Sequence, residues 1–150
     1  MKASKGSRDK AESGKADRRV SLGRVLLVED DAVLAMSLED ALRDGGAEDV
    51  VICQTMQATM EELEKEEQFD AMVLDVHLAD RSDGWALAEL VTMLGPKRPR
   101  IAFSTGSPES IPPEIAEMGP VFEKPYDPAQ LVDVLASANR KRGLFARLLG

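Results

Sequence analysis

Residues 69–78 read FDAMVLDVHL, and the short apolar run at 71–74 inside this stretch decides the fold. A run that is apolar at every position is typical of a strand covered on both faces, as in a parallel sheet. The run ends at Asp75, and a carboxylate at the mouth of a buried strand is costly to leave unpaired. We therefore expect Asp75 to have a partner, to bind a cation or to take part in chemistry.

Further apolar runs alternate with amphipathic patterns along the chain. The runs predict strands at residues 24–28, 50–53, 100–103 and 120–122. Apolar residues at helical spacing predict helices over residues 31–43, 56–63 and 87–94, and from Asp127 onwards. Gly45 and Gly46 would end the first helix, and Asp127 and Pro128 would begin the last. This alternation predicts a doubly wound α/β fold, with a parallel sheet and helices on both faces.

The segment between the fourth and fifth strands departs from this pattern because it contains three prolines, Pro108, Pro112 and Pro113. Two prolines at the start of a short helix-competent stretch leave little room for a regular helix. We therefore expect a short or irregular fourth helix and a mobile loop.

Charge is unevenly distributed along the chain, whose net charge is −8. Residues 1–20 carry seven basic and three acidic side chains, and residues 140–150 carry four basic and no acidic ones. Residues 21–139 therefore hold eight basic and twenty-four acidic side chains, a balance of −16. Such a body lacks the basic face that direct DNA binding requires, and it suits a divalent cation or a basic partner.

The two ends are predicted to lie outside the folded domain. Residues 1–21 have the composition of a disordered basic tail, and residues 140–150 form a short basic amphipathic extension. That extension either continues the last helix or docks on a partner or membrane surface.

The single cysteine, Cys53, excludes an intrachain disulfide. With no secretory leader and no run long enough to cross a bilayer, we expect a cytoplasmic protein whose folded domain does not bind a membrane.

Polar residues follow the predicted strands where the carboxyl ends of a parallel sheet meet, the usual place for a ligand in such folds. They are Glu29, Asp30, Asp31, Asp75, Ser104, Thr105 and Lys124. Close carboxylates repel one another, and Mg²⁺, which prefers oxygen ligands, would offset that repulsion. A lysine and a hydroxyl beside them suit a phosphoryl group on one carboxylate. Asp31 is better placed to cap the first helix than to bind metal.

This ordered set resembles the receiver domain of two-component response regulators over about residues 23–138. The resemblance implies a flavodoxin-like sheet of order 2-1-3-4-5 in a domain spanning residues 22–139, with Asp75 as the phosphoacceptor. It also implies that Asp30 and Asp75 ligate Mg²⁺, that Glu29 acts through a water, and that the main-chain carbonyl of His77 completes the metal site. Thr105 and Lys124 would contact the phosphoryl oxygens, and the peptide between Lys124 and Pro125 would be cis.

Three features resemble the FATGUY subgroup of receivers. Val121 stands where most receivers place an aromatic switch residue, the interval from Thr105 to Lys124 is short for the family, and Phe103-Ser104-Thr105-Gly106 matches the subgroup's motif in part. The resemblance implies a stand-alone receiver in stress signalling. Its phosphodonor would be a histidine kinase of the HWE type or a phosphotransfer protein. We expect no output domain after residue 138, and therefore signalling through an unknown downstream protein, or a role as phosphorelay or phosphate sink.

Two other functions remain open. A receiver fold can serve as a phosphorylation-independent adaptor, but the intact acidic pair, Thr105 and Lys124 argue against such a loss of chemistry. A Mg²⁺-dependent phosphohydrolase with Asp75 as nucleophile resembles the haloacid-dehalogenase type, which has an acidic residue two positions later. His77 stands there instead. We therefore expect a phosphoacceptor that catalyses only its own phosphorylation and hydrolysis, not an enzyme.

Overall fold

Five parallel strands form one sheet in the structure, a computed structural model that describes residues 22–65, 68–76, 90, 94–95 and 99–137. The strands are β1 (Gly23–Val28), β2 (Ala47–Cys53), β3 (Ala71–Asp75), β4 (Arg100–Thr105) and β5 (Val121–Glu123). Their order is β2-β1-β3-β4-β5. The predicted doubly wound fold and its strand order are therefore confirmed.

β3 occupies the centre of the sheet, and all five of its residues are buried. It pairs with β1 on one side, where Val28 lies opposite Leu74, and with β4 on the other, where Asp75 lies opposite Ser104. Burial of both faces of this strand, with Met72 and Leu74 in one apolar layer and Ala71 and Val73 in the other, explains why the run at 71–74 has no polar position. The same register brings the carboxyl ends of β1, β3 and β4 to one edge.

The helices begin and end at residues that satisfy their free backbone groups. Helix α1 (Ala32–Asp44) starts at Asp31, whose Oδ1 accepts hydrogen bonds from the backbone N–H groups of Val33 and Leu34 at 2.9 and 3.1 Å. Asp31 is therefore a helix cap, as predicted. Helix α2 (Met56–Leu63) starts at Thr55, which caps it in the same way. Residues 128–137 form the last helix, α4.

The connection between β4 and β5 is irregular, as its prolines predict. A 3₁₀ turn (Pro108–Ser110) is followed by a single short helix, α3 (Pro113–Ala116). Leu90 and Leu94 are also helical, but the rest of the helix predicted over residues 87–94 lies outside the described residues.

Two apolar layers cover the sheet, one on each face. On one face, α1 and α4 contribute Leu38, Leu42, Leu131 and Leu135 to a fully buried cluster. On the other face lie Met56 from α2, Leu90, and Ile115 from α3. Alternate residues of each strand enter opposite layers, since strand side chains point alternately to the two faces.

Two strands are longer than their apolar runs. β2 begins at Ala47 rather than Val50, because an edge strand can carry exposed polar residues such as Glu48 and Asp49 and still pair with β1. β4 continues through Ser104 and Thr105, which pair with residues of β3 and β5 despite their polarity.

The predicted tail at 1–21 and extension at 140–150 lie outside the described residues. Among the helices the structure describes, none has the length and apolarity needed to span a bilayer.

Gly119 fixes how closely the connection after α3 approaches β4. A Cβ at this position would lie 1.9 Å from the main-chain oxygen of Ile101, a contact that backbone atoms cannot relieve by turning aside. The next residue, Pro120, accepts a hydrogen bond from the Phe103 N–H at 2.8 Å. The absence of a side chain at 119 therefore sets the position of β5 and of the residues that follow it.

We predict that Gly119→Ala lowers the free energy of unfolding by about 2–4 kcal/mol, because β5 must move away from β4. The measurement is urea denaturation followed by circular dichroism. Gly106→Ala is the matched control, since a Cβ there would meet nothing within 4 Å. Its unfolding free energy should change by about 0.5 kcal/mol or less. Equal effects of the two substitutions would contradict the close approach at Gly119.

Candidate functional site

Three carboxylates from two strand ends lie together at the carboxyl edge of the sheet. Glu29 and Asp30 directly follow β1, and Asp75 is the last residue of β3. Each offers an oxygen within 4.8 Å of the other two. Glu29 and Asp75 are buried, whereas Asp30 is exposed. The cluster is therefore open to solvent on the Asp30 side and closed by the sheet on the other.

Lys124, which follows β5, places its ammonium between the two buried carboxylates. Its Nζ lies 3.1 Å from Glu29 Oε1 and 3.3 Å from Asp75 Oδ2. Its backbone N–H donates to the Thr105 carbonyl at 2.8 Å, which ties the segment to the end of β4. The peptide between Lys124 and Pro125 is cis, as the resemblance implies. One ammonium thus balances part of the charge of two buried carboxylates.

The buried carboxylates affect the protonation of this site. The pKa of Glu29 is raised to about 7, mainly by burial and in addition by a hydrogen bond with Asp75 and the charge of that residue. The Asp31 backbone N–H, which donates to Glu29 Oε2 at 3.0 Å, acts in the opposite direction, as does Lys124. Burial alone would lower the pKa of Lys124, but the attraction of Asp75 and Glu29 outweighs it and raises that pKa.

The donor set fits a hard divalent cation. Glu29 Oε1 is buried and, within the described part of the chain, accepts no hydrogen bond, although the Lys124 ammonium lies near it. A buried carboxylate oxygen without a hydrogen bond, beside two further carboxylates, is the kind of group that a cation satisfies. Glu29, Asp30 and Asp75 could therefore hold the metal. The main-chain carbonyl of His77, the fourth predicted ligand, lies outside the described residues.

Thr105 ends β4 at the same edge. Its side chain is fully buried, and its Oγ1 accepts a hydrogen bond from the Ser107 N–H at 2.9 Å. Its carbonyl receives the Lys124 N–H, so Thr105 and Lys124 are joined through the backbone. All the predicted site residues that the structure describes therefore lie at one end of the sheet.

Comparison with known proteins agrees with this arrangement. The family model described as "Response regulator receiver domain" matches residues 25–136. The chain belongs to this family. The match begins in β1 and ends in α4, so it includes every strand of the receiver sheet and each described residue of the acidic site. A search of curated proteins found no match.

Solved receiver structures share the fold. A CheY-like receiver domain from Methylobacillus flagellatus has a TM-score of 0.65 and 24% identity, covering 78% of this chain and 98% of its own. The response regulator PhyR from Brucella abortus has a TM-score of 0.66 and 24% identity, covering 98% of this chain and 60% of its own. A Burkholderia pseudomallei response regulator with a phosphorylated aspartic acid and a calcium ion has a TM-score of 0.58 and 21% identity. The match covers 85% of this chain and 74% of that one.

The structure also shows a polar pair that sequence reasoning missed in this receiver domain. Ser104 Oγ and the Tyr126 hydroxyl share a hydrogen bond of 2.7 Å, and the Tyr126 ring packs against Phe122 with centroids 5.6 Å apart. Burial raises the pKa of the Tyr126 phenol. The position of Tyr126, two residues after Lys124 and the only tyrosine of the chain, was the available signal.

Val121 is half-buried and lies opposite Phe103 in the β4–β5 pairing. It packs with the layer that contains Met56 and Ile115. The neighbouring Phe122 enters the opposite layer, beside α1 and α4. Phe122 therefore does not supply the aromatic ring that Val121 lacks, because the two side chains point to different faces of the sheet.

We predict that Mg²⁺ binding releases a proton near pH 6 but not near pH 8.5. Below its pKa of about 7 the Glu29 carboxyl is mostly protonated, and a metal displaces that proton. Above this pKa the carboxylate is already free, so Mg²⁺ affinity should rise between these two pH values. The measurement is titration calorimetry in buffers of different ionisation enthalpy, with about one proton expected at the lower pH.

Glu29→Gln is the control for this prediction, since it has no titrating proton at this position. The variant should bind Mg²⁺ with no pH-dependent proton release. If wild-type protein releases the same number of protons at both pH values, Glu29 does not have the raised pKa that its burial implies.

Proposed function

We propose that the chain is a response regulator that accepts a phosphoryl group on Asp75. The observation that carries this proposal is the placement of a buried carboxylate at the mouth of the central strand, beside an ammonium and two further carboxylates. Asp75 Oδ2 lies 3.3 Å from Lys124 Nζ, and Asp75 itself is 1% exposed. A site that only stabilised the fold would not need so many like charges at one buried edge.

In the proposed reaction a carboxylate oxygen of Asp75 attacks the phosphorus of a phosphohistidine. The new bond is the O–P bond of an acyl phosphate, and the bond that breaks is the P–N bond, whose electron pair returns to the imidazole. Lys124 offsets the negative charge on the transferred group, and the Thr105 hydroxyl donates to one of its oxygens. Hydrolysis of the acyl phosphate returns Asp75 to its carboxylate form.

Glu29, Asp30 and Asp75, with the main-chain carbonyl of His77, would hold Mg²⁺ in this proposal. The bound cation would neutralise the phosphoryl oxygens and reduce repulsion among the carboxylates. Lys124 now contacts both Glu29 and Asp75, so its ammonium is already within reach of any group attached to Asp75. Because Asp30 is exposed, a phosphodonor would reach Asp75 from the Asp30 side of the site.

We further propose that the partner delivering the phosphoryl group is a histidine kinase, of the HWE type, or a phosphotransfer protein. Two large apolar side chains on the first turns of α1, Val33 and Met36, are 75% and 66% exposed. They lie within six residues of Asp30 and so offer an apolar contact beside the entry to the site. The acidic body supports a protein partner rather than DNA.

The output of this receiver domain is proposed to be a contact with a downstream protein, or transfer of the phosphoryl group along a relay. Phe103-Ser104-Thr105-Gly106 and the valine at 121 support membership of the FATGUY subgroup and its role in stress signalling. The adaptor that works without phosphorylation is the alternative. Val121 favours it in one respect, since the position implied to carry an aromatic switch residue has an aliphatic side chain here.

We predict that acetyl phosphate with Mg²⁺ adds one phosphoryl group to the wild-type protein and none to Asp75→Asn. The intact mass should rise by about 80 Da in wild type only, because the amide is not a nucleophile toward phosphorus. Lys124→Met, which keeps the length of the side chain without its charge, should slow the modification by about 100-fold. Mass spectrometry and the rate of modification check both statements.

Three outcomes of this experiment separate the functions. Single, Asp75-dependent modification supports the receiver function. Repeated turnover of phosphate esters would show a phosphohydrolase instead. If wild type is unmodified and beryllofluoride with Mg²⁺ leaves its amide spectrum unchanged, the adaptor is the remaining function.

We predict that Val121→Ala leaves the response to beryllofluoride intact. Val121 has no aromatic ring to rotate, so its truncation should not alter the change in amide hydrogen exchange over residues 106–120 when the mimic binds. The measurement compares this change in wild type and variant, each corrected for its own stability. Loss of the response in Val121→Ala would mean that Val121 does transmit the state of Asp75.

A further inference from the structure

We propose that the hydrogen bond between the Ser104 and Tyr126 hydroxyls positions Lys124 for phosphoryl transfer. Ser104 and Tyr126 are then positioning residues rather than catalytic ones, since the group that touches the phosphoryl oxygens is the Lys124 ammonium. This inference rests on the proposed function of Asp75 and adds two residues to its site.

The pair joins the hydroxyl of a buried serine to that of a half-buried tyrosine. Ser104 is completely buried, and its Oγ lies 2.7 Å from the Tyr126 hydroxyl. A buried hydroxyl without a partner is unfavourable, so this contact resists opening. The Tyr126 ring is held in addition by Phe122, at 5.6 Å between centroids. The tyrosine is therefore fixed at both its ring and its hydroxyl.

Ser104 is directly connected to the phosphoacceptor strand. It lies opposite Asp75 in the β3–β4 pairing, and its carbonyl accepts a hydrogen bond from the Val76 N–H at 3.2 Å. The residues two positions earlier, Val73 and Ala102, share the apolar layer beside α1 and α4. Because side chains of a strand alternate, Asp75 and Ser104 point to this same face. The Ser104 hydroxyl is thus held at a fixed position relative to Asp75 by the pairing of β3 with β4.

Lys124 belongs to a segment that has two attachments to β4. The first is its own backbone N–H, which donates to the Thr105 carbonyl at 2.8 Å. The second, two residues later, is the Tyr126 hydroxyl on Ser104. With both in place, the Lys124 backbone has little freedom relative to Asp75. With only the first, the segment can tilt, and the ammonium spends less time within hydrogen-bond distance of the reacting oxygens.

Loss of the Ser104–Tyr126 hydrogen bond should affect the rate of phosphoryl transfer and the affinity for Mg²⁺ differently. The carboxylates that would hold Mg²⁺ come from β1 and β3, which do not contain either member of the pair. Removing the hydrogen bond should therefore slow phosphoryl transfer and leave Mg²⁺ affinity unchanged. A general loss of structure would weaken both.

The test uses Tyr126→Phe, Ser104→Ala and the double variant in the full chain, with acetyl phosphate and saturating Mg²⁺. We expect each single variant to reduce the maximal rate of Asp75 phosphorylation about tenfold. The double variant should lose no more than either single one, because all three lack the same hydrogen bond. The Mg²⁺ dissociation constant should stay within about twofold of wild type. Additive losses, or rates within twofold of wild type, would overturn the proposal.

Thr59→Val is the matched control. Thr59 is also completely buried, and its Oγ1 donates to the Thr55 carbonyl at 2.8 Å, but it lies in α2 on the opposite face of the sheet. Its loss should lower the midpoint of urea unfolding without slowing phosphorylation. If Thr59→Val slows phosphorylation as much as Tyr126→Phe, the effect is one of overall stability and the positioning role is wrong.

Amide hydrogen exchange of Lys124 tests the positioning without any phosphodonor. The N–H that donates to Thr105 should exchange about fivefold faster in Tyr126→Phe than in wild type, because its segment has lost an attachment. If wild type accepts no phosphoryl group, the proposed function fails, while this measurement still decides the role of the pair. Unchanged exchange in Tyr126→Phe overturns the positioning role whether or not Asp75 is phosphorylated.

Discussion

The structure depends on one electrostatic arrangement, the Lys124 ammonium between the buried carboxylates of Glu29 and Asp75. Two carboxylates removed from water at the mouth of a parallel sheet repel each other and lack solvation. The raised pKa of Glu29 is the direct consequence, since the protonated form carries no charge into the buried site. A single cation within 3.1–3.3 Å offsets only part of this repulsion, so the site retains a demand for positive charge.

The doubly wound fold is what brings these groups together. Neighbouring members of the set Glu29, Asp75 and Lys124 are about fifty residues apart along the chain, and each lies at the end of a different strand. Parallel pairing aligns the carboxyl ends of those strands, so three distant positions become neighbours at one edge. Close approach of the backbone at Gly119 sets β5 against β4, and the position of Lys124 follows from it.

Much of this site was predictable from sequence because strand ends can be found without a structure. The apolar runs before Glu29 and Asp75 end at the polar residues themselves, and parallel topology places such ends together. The Ser104–Tyr126 contact was not predictable in this way. Ser104 belongs to β4 although it is polar, and its partner is set by the path of the chain after Pro125, which has no periodic pattern. The predicted start of β2, at residue 50, is three residues too late for a related reason. An edge strand tolerates exposed polar residues such as Glu48 and Asp49, so an apolar run does not mark where it begins.

The two faces of the sheet place different residues beside the acidic edge. On the face of α2 and α3 stands Val121, an aliphatic side chain at the position where the resemblance to receivers implies an aromatic ring. On the face of α1 and α4 stand Ser104, Phe122 and Tyr126, with Tyr126 directly before the cap of α4 at Asp127. A change at Asp75 that displaced Lys124 would strain this second face first, because Lys124 and Tyr126 belong to one short segment. In this receiver domain Lys124 and Tyr126 therefore connect Asp75 to the face of α4, whereas Val121 lies on the opposite face of the sheet.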